Sequence, residues 1–325
     1  MKYAKCIAAV SICLLVPMLF IRSGAETENK KVESSSLFNV LVCGKDSVSG
    51  LDDAIMIVSV DENKQSVSFF QIPRDTYVNL GENNYKKING ASKILGGYKE
   101  LCKKISSSFG IKVDGYVAFD SEFVKKSIDA IGGIDIDVPF DMDYDDPSQN
   151  LSIHLKKGIQ TLGGNDAVGF VRYRSGYLRA DIGRMDAQKV FIAALAKSFA
   201  QKANGVKLLS LAGLSLRYVK TDIPINKLLS VYNSLKDASS EKMSFVTMPG
   251  EEVRSKKSGA WFYILSKRGC EETLEKISNG IGFDEARIYS DPNRSEFEEI
   301  YNKEIKARIY TAEEIDGKGI EITPK

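Results

Sequence analysis

Three apolar runs of strand length crowd into 36 residues: LFNVLVC (Leu37–Cys43), AIMIVSV (Ala54–Val60) and VSFFQI (Val67–Ile72). They are rich in β-branched and aromatic residues and are bounded by Gly, Asp, Asn or Pro, which marks strands rather than helices. The middle run is apolar at nearly every position, as suits a strand buried on both faces. Asp61–Gln65 is placed to turn the second run into the third.

Helical spacing follows. Gly97–Phe109 carries Leu101, Ile105 and Phe109 at four-residue intervals, and Gly110 stops it. Val113–Phe119 reads as a strand. Ser121–Ile131 reads as a helix with Phe123, Val124, Ile128 and Ile131 on one stripe and Ser121 as its N-cap. Gly132-Gly133 ends it, Ile134–Val138 alternates as a strand, and acidic Asp141–Asn150, with Pro147, reads as a loop before a strand at Leu151–Leu155. Asp166–Tyr173 predicts a short helix and Arg184–Gln201 the longest one. Lys207–Leu216 and Asn226–Ala238 predict two more, Met243–Met248 a strand, and Trp261–Leu265 with Glu271–Ile277 closes the compact part. Strands alternating with helices predict an α/β domain with a central mixed sheet flanked by helices.

Lys2 and Lys5 precede an apolar run from Cys6 to Ile21. Positive residues before an apolar core keep the N-terminus in the cytoplasm and send the rest across the membrane. Residues 1–25 are expected to be either a single N-terminal membrane anchor or a signal peptide cleaved near Ala25, since Ser23 and Ala25 fit the small-x-small pattern. Residues 26–36 read as a linker, 37–279 as the folded domain, and 280–325 as a charged extension without an assigned role. Five cysteines, odd in number beyond the apolar segment and without a CxxC, are structural rather than a disulfide framework. Lys and Arg number 45 against 43 Asp and Glu, so there is no electrostatic footprint for nucleic acid. The single histidine, His154, excludes a multi-histidine metal site and leaves any Ser-His-Asp arrangement resting on that residue.

Three clusters carry candidate chemistry. Gly44-Lys45-Asp46-Ser47 follows the first strand and Leu51-Asp52-Asp53 precedes the second, so Asp46 and Asp53 could meet at neighbouring strand ends. Such carboxylates suit Mg²⁺, which takes one or two of them plus phosphate oxygens and water. Arg74 follows a strand that ends in Pro73, and its planar fork matches phosphate oxygens. Arg172 and Arg174 lead through a polar turn to Asp181 and Arg184, with Gln188 one turn beyond Arg184 on the same expected helix N-terminus, itself an anion site. Taken singly, each cluster also fits a structural role: turn and capping aspartates, a surface Arg-Asp pair, a solvated helix face. Together they describe polyphosphate chemistry. The chain has neither GxxxxGK[ST] nor GxGxxG, and ATP is not supplied outside the membrane, so a lipid-linked diphosphate donor is the expected substrate.

The stretches NVLVCGKDS, DDAIMIVSVD, SFFQIPRDTYV, YKKINGAS, GGIDIDVPFDM, LKKGIQTLGGNDAVGFVRYR and DIGRMDAQKVFIAAL, in this order, resemble the LytR-CpsA-Psr family of cell-wall glycopolymer ligases. With MPGE and WFYIL the likeness reaches about residue 279. The resemblance implies an α/β core with a hydrophobic polyprenyl-binding groove, which we expect along Val113–Phe119 and Ser121–Ile131. It implies a membrane-anchored phosphotransferase that moves a glycopolymer phosphate from undecaprenyl diphosphate to a peptidoglycan hydroxyl. By that resemblance Asp46 and Asp53 hold Mg²⁺ or Mn²⁺. Arg74, Arg172, Arg174 and Arg184 bind the diphosphate, with Gln188 beside them, and Asp181 is the family's acidic position. Asp53 and Asp181 are the candidates for accepting the hydroxyl proton. Two departures stand out: Leu51-Asp52-Asp53-Ala54 replaces an arginine-bearing run, with Lys45 as a substitute cation, and Ala180 stands where the family has Gly. A lipid-diphosphate hydrolase and a non-catalytic polyprenyl-phosphate-binding regulator remain as alternatives. Teichoic acid, capsular polymers and other secondary polysaccharides fit equally well as cargo.

Overall fold

The computed structural model describes residues 37–81, 85–149, 151–202, 205–235, 240–278, 296–316, 320 and 322–324. Residues 1–36, with the expected anchor and linker, lie outside them. Strands β1 (Leu37–Lys45), β2 (Asp52–Asp61) and β3 (Ser66–Gln71) form the antiparallel heart of the sheet. The predicted β2–β3 turn forms: the Asp61 carboxylate accepts from the backbone N–H of Asn63 and Lys64, and Gln65 takes a left-handed conformation, φ 53°.

Helices α1 (Ala91–Ile94) and α2 (Tyr98–Phe109) lead into β4 (Gly115–Asp120) and α3 (Ser121–Ile131). The N-cap of α3 is Asp120, not Ser121: its carboxylate accepts from Phe123 N–H at 3.0 Å, while the Ser121 hydroxyl pairs with that of Ser47. Strands β5 (Ile134–Val138), β6 (Met142–Asp146), β7 (Leu151–Leu155) and β8 (Gly158–Leu162) make two separate ribbons, β5 with β8 and β6 with β7. The segment expected as an acidic loop is thus largely a strand. Met142 is fully buried while Tyr144 and the aspartates face out, so the strand is an edge recognised by its partner rather than by its own composition.

Next come α4 (Gly164–Arg172), α5 (Ala180–Lys202), α6 (Gly205–Tyr218), β9 (Lys220–Thr221) and α7 (Ile225–Leu235). Helix α5 begins four residues before Arg184, so Arg184 and Gln188 lie within the helix and Asp181 takes its first turn. The expectation of a helix N-terminal anion site at Arg184 is therefore not met. Strands β10 (Met243–Thr247), β11 (Gly250–Arg254) and β12 (Trp261–Leu265) and helix α8 (Lys267–Ser278) follow. Beyond residue 280, α9 (Glu298–Asn302), β13 (Tyr310–Thr311) and α10 (Ala312–Asp316) pack onto the body. Strand β13 joins the main sheet, and Ala312, Ile315 and Ile320 enter its core.

The main sheet has seven strands in the order β13-β10-β3-β2-β1-β4-β9. Parallel β1/β4 and β10/β3 pairs combine with antiparallel neighbours, so it is mixed, as predicted. One face (Leu41, Cys43, Ile55, Ile57, Phe70, Ile72) is sealed by α2 and α8. The other (Val40, Val42, Met56, Val58, Phe69) faces α5 and α7. Helices α3 to α6 and the two ribbons bury a further core on that side. Cys43, Cys102 and Cys270 are free and buried, and burial pushes their thiols up, Cys102 to about 12.

Candidate active site

The C-terminal ends of β1 and β4 and the start of β2 open onto a cavity of about 170 Å³ between the sheet and α3 to α6. Its mouth is polar: Lys45, Asp46, Asp53, Arg172, Arg184 and Gln188 line it. Its body is apolar, walled by Met56, Phe69, Phe119, Phe123, Ile128 and Leu211 among others. Of the predicted groove walls, α3 contributes along its length and β4 only through Phe119 and Asp120. Gly44 keeps the mouth open; a Cβ there would stand 3.2 Å from Ala54 and 3.5 Å from the Phe119 ring.

The structure brings the predicted arginines together around two carboxylates. Arg74 Nη1 donates to Asp53 Oδ1 at 2.7 Å, and Arg174 Nη2 reaches Asp53 Oδ2 at 3.4 Å. Arg184, almost fully buried, grips Asp181 with Nε and Nη2, both at 3.0 Å, and donates through Nη1 to the Asp53 carbonyl at 3.2 Å. Asp181 also lies 3.6 Å from Arg74 Nε and 3.8 Å from Arg174 Nε. Arg172 donates to Gln149 and sits 3.8 Å from Asp46. Gln188 accepts from Gln71 of β3 at 3.4 Å. The return of the chain from Arg174 to α5 depends on Gly183, whose Cβ would fall 2.6 Å from that of Tyr177.

Negative charge is unevenly shared in the cluster: Asp181, Asp53 and Asp75 outweigh burial and hold the Arg74 guanidinium above its usual value. Burial, then Arg184 and Arg74, push the Arg174 guanidinium below its usual range. Arg74 Nε and Arg174 Nε are buried donors with no hydrogen-bond partner among the described residues. Burial alone would raise Asp181, but Arg184, Arg74 and Arg174 hold it below the ordinary carboxylate value. Buried donors without acceptors are costly, so the arrangement is prepared for an anion's oxygens.

A metal has a narrower fit. Each Asp46 oxygen already accepts from its own turn, from Val48 N–H and the Ser49 hydroxyl, and each Asp53 oxygen meets an arginine. Every one of these oxygens retains a further acceptor position. Among the described residues no group of three or more His, Cys, Asp or Glu gathers as a ligand set. The two aspartates could therefore offer a hard cation only one or two carboxylate oxygens, the rest of its ligands being left to water and phosphate.

Asp52 is absent from the site. It is fully buried on the sealed face, where it accepts from Ser92 at 2.6 Å and Tyr98 at 2.9 Å, and burial raises its carboxyl. The additional carboxylate of this chain thus does not enter the arginine cluster. His154 also lies elsewhere: on the exposed β6–β7 ribbon it contacts Ser152, Asp143 and Asp145, a solvated set away from the cavity. The cavity walls Met56, Val168 and Leu211 were not singled out from the sequence, where they read simply as core.

A mixed-sheet domain thus joins an apolar cavity to a mouth that carries arginines. The family model for the LytR_cpsA_psr family matches residues 21–279, and the chain belongs to that family. It is 30% identical over 238 residues to the polyisoprenyl-teichoic acid--peptidoglycan teichoic acid transferase TagV of Bacillus subtilis, covering 72% of this chain and 61% of that protein. Thus the match spans less than two thirds of TagV's full length. The crystal structure of B. subtilis TagV superposes with a TM-score of 0.63 at 26% identity, covering 77% of this chain and 99% of that one. The regulatory protein MsrR of Staphylococcus aureus is 30% identical over 260 residues, 76% of this chain and 77% of its own. TagT, solved bound to LIIa-WTA, shares the fold with a TM-score of 0.59 at 18% identity, covering 77% and 93% of the two chains.

Proposed function

We propose that this protein is a transferase that moves a glycopolymer phosphate from a polyprenyl diphosphate to a hydroxyl of peptidoglycan, outside the cytoplasmic membrane. The observation that carries the reading is the continuity of one cavity from an apolar body to a mouth lined by Arg172, Arg184, Asp46 and Asp53. The names of TagV and TagT's bound LIIa-WTA support a teichoic acid-like cargo. The N-terminal apolar run holds the chain at the membrane, or is removed near Ala25, and in both cases the domain faces outward.

In this reading the isoprenoid lies against Phe119, Phe123 and Ile128, and the diphosphate sits among Arg74, Arg172, Arg174 and Arg184. The unpartnered Nε donors of Arg74 and Arg174 take phosphate oxygens, and fixed guanidinium forks stabilise charge as it develops. The acceptor hydroxyl attacks the glycan-side phosphorus, the bond to the bridging oxygen breaks, and polyprenyl phosphate leaves. Asp53 is the better placed proton acceptor, because Arg174 reaches its Oδ2 only at 3.4 Å, whereas Arg184 holds both Asp181 oxygens at 3.0 Å. Asp181 then positions Arg184 and Arg74. Mg²⁺ or Mn²⁺ on Asp46 and Asp53 would neutralise diphosphate charge.

The test incubates full-length protein with a lipid-diphosphate oligosaccharide, Mg²⁺ and peptidoglycan fragments, with mass spectrometry as the readout. A glycan-phosphate adduct that disappears with EDTA and with Arg172→Ala supports the proposal. Free glycan phosphate without adduct replaces it with a hydrolase, and bound, unreacted lipid replaces it with a binding protein.

A further inference from the structure

Helix α6 closes the end of the cavity farthest from the arginines, and its outer side carries an apolar stripe. Leu211 lines the cavity, with Ala212 and Ser215 buried beside it. On the opposite side Val206 is 78% exposed, Leu209 55% and Leu216 54%. These three and Gly213 recur at intervals of three and four residues, so they form one continuous face. A Cβ built at Gly213 meets nothing within 4 Å. Three neighbouring large apolar side chains left in water form a patch that calls for a partner, unlike scattered single ones.

Three observations identify that partner as a lipid surface. The first is charge. From Ala187 to Thr221 the chain has six cations and no Asp or Glu, although its net charge is only +2. Arg217 belongs to α6 and Lys220 follows it directly, while α6 itself carries no acidic residue, as on helices that lie in anionic interfaces. The second is topology. β1 and β4 are parallel and both end at the cavity mouth, while α3 returns from Ser121 at the mouth to Ile131 at the far end, roughly 15 Å away by helical rise. Lys207 Nζ donates to the Ile131 carbonyl at 2.8 Å and fixes α6 there. Leu37, where β1 begins, lies at that same end, and the apolar run Cys6–Ile21 precedes it by only 15 residues. The third is continuity, because the helix that bears the stripe also forms the cavity's distal wall.

We propose that α6 is a membrane-docking helix. Val206, Leu209 and Leu216 enter the interface of an anionic bilayer while Arg217 and Lys220 meet its headgroups, and the arginine mouth points away from the membrane. A polyprenyl chain lying in the cavity would then end against the inner side of the docked helix, at Leu211. This last step rests on the transferase reading; the docking itself does not.

The native Trp261 is the only tryptophan and stands beside Phe262, which packs on Tyr77, just beyond Arg74 at the mouth end. The experiment reconstitutes the full chain into vesicles containing anionic lipid with brominated acyl chains. It compares Trp261 in the natural protein with Leu209→Trp in a Trp261→Phe background. Docking predicts at least about twofold quenching at position 209 and none at 261. Leu216→Trp repeats the measurement at a second position. Solvent-like emission at both positions overturns the proposal. So does emission that is shielded without lipid or shielded but unquenched by bromine, since the stripe would then be covered by this chain or a second copy. In transfer assays, Leu209→Glu with Leu216→Glu should lower the rate about tenfold for donor in vesicles and leave it unchanged for donor in detergent. Quenching without transfer in either setting would preserve the docking and remove the transferase reading.

Discussion

The two faces of the central sheet are built from alternate residues of the same strands, yet they end differently. On one, Leu41, Cys43, Ile57 and Phe70 meet α2 and α8 with essentially no accessible surface. On the other, Val42, Met56 and Phe69 look into a cavity. Interiors are close-packed, and an apolar void forfeits dispersion and transfer energy. A sheet that fills one face and leaves the other open has given up stability for a site. The adjacent Asp52 and Asp53 repeat the contrast: the first is satisfied by two hydroxyls on the sealed face, the second is shared by Arg74 and Arg174 at the open mouth.

The largest difference should appear when charge is removed from the open face. Arg74→Ala or Arg172→Ala should lower transfer by about 10²-fold or more. The thermal midpoint should change little, because these side chains close no core. A variant with full activity in the coupled lipid assay would remove the catalytic reading of the mouth.

Filling the open face should produce a smaller, selective effect. Val124→Phe places a ring in the cavity from α3. It should leave the lipid-free midpoint unchanged or higher and weaken retention of polyprenyl phosphate about tenfold, the equivalent of one or two buried methylenes. Unchanged lipid binding would show that the chain lies elsewhere. On the sealed face the reverse should hold. Asp52→Ala leaves the Ser92 and Tyr98 hydroxyls without their acceptor and should cost about 1–3 kcal/mol in denaturant unfolding. Its transfer rate should stay within about twofold of wild type, and a large loss of rate would couple the two faces.

The same contrast explains what could be read in advance. The strands Leu37–Cys43, Ala54–Val60 and Val67–Ile72 announce themselves, because burial on both sides demands apolar residues at nearly every position. Strands β6, β8, β11 and β13 do not, since each is defined by the partner that pairs with it. The arginines at 74, 172, 174 and 184 were legible as chemistry that a core has no use for. Their convergence was not, because it depends on the approach of Gly183 to Tyr177 and on Asp53 crossing between elements far apart in sequence. The cavity was least legible, since Met56, Val168 and Leu211 have the composition of an ordinary core and only the absence of a neighbour distinguishes them.

The smallest expected effect is electrostatic, and it differs in sign between the faces. Asp181 is held below its ordinary value of 3.8 by three arginines that outweigh burial. Between its folded value and 3.8 the unfolded chain binds a proton that the folded one refuses, so stability falls as the pH drops through that window. Asp52 behaves oppositely. Burial lifts it above 3.8 despite Ser92, Tyr98 and Lys45, and the folded chain takes up its proton first. Stability should therefore rise as acidification passes through the raised value toward 3.8, before the loss from Asp181 sets in. Denaturant midpoints followed from neutrality downward in wild type, Asp52→Asn and Asp181→Asn separate the two. Asp52→Asn should lack the rise and Asp181→Asn should soften the fall. If both variants track wild type, the carboxylates on the two faces are electrostatically equivalent, and the contrast between a satisfied face and a face awaiting an anion does not extend to their charges.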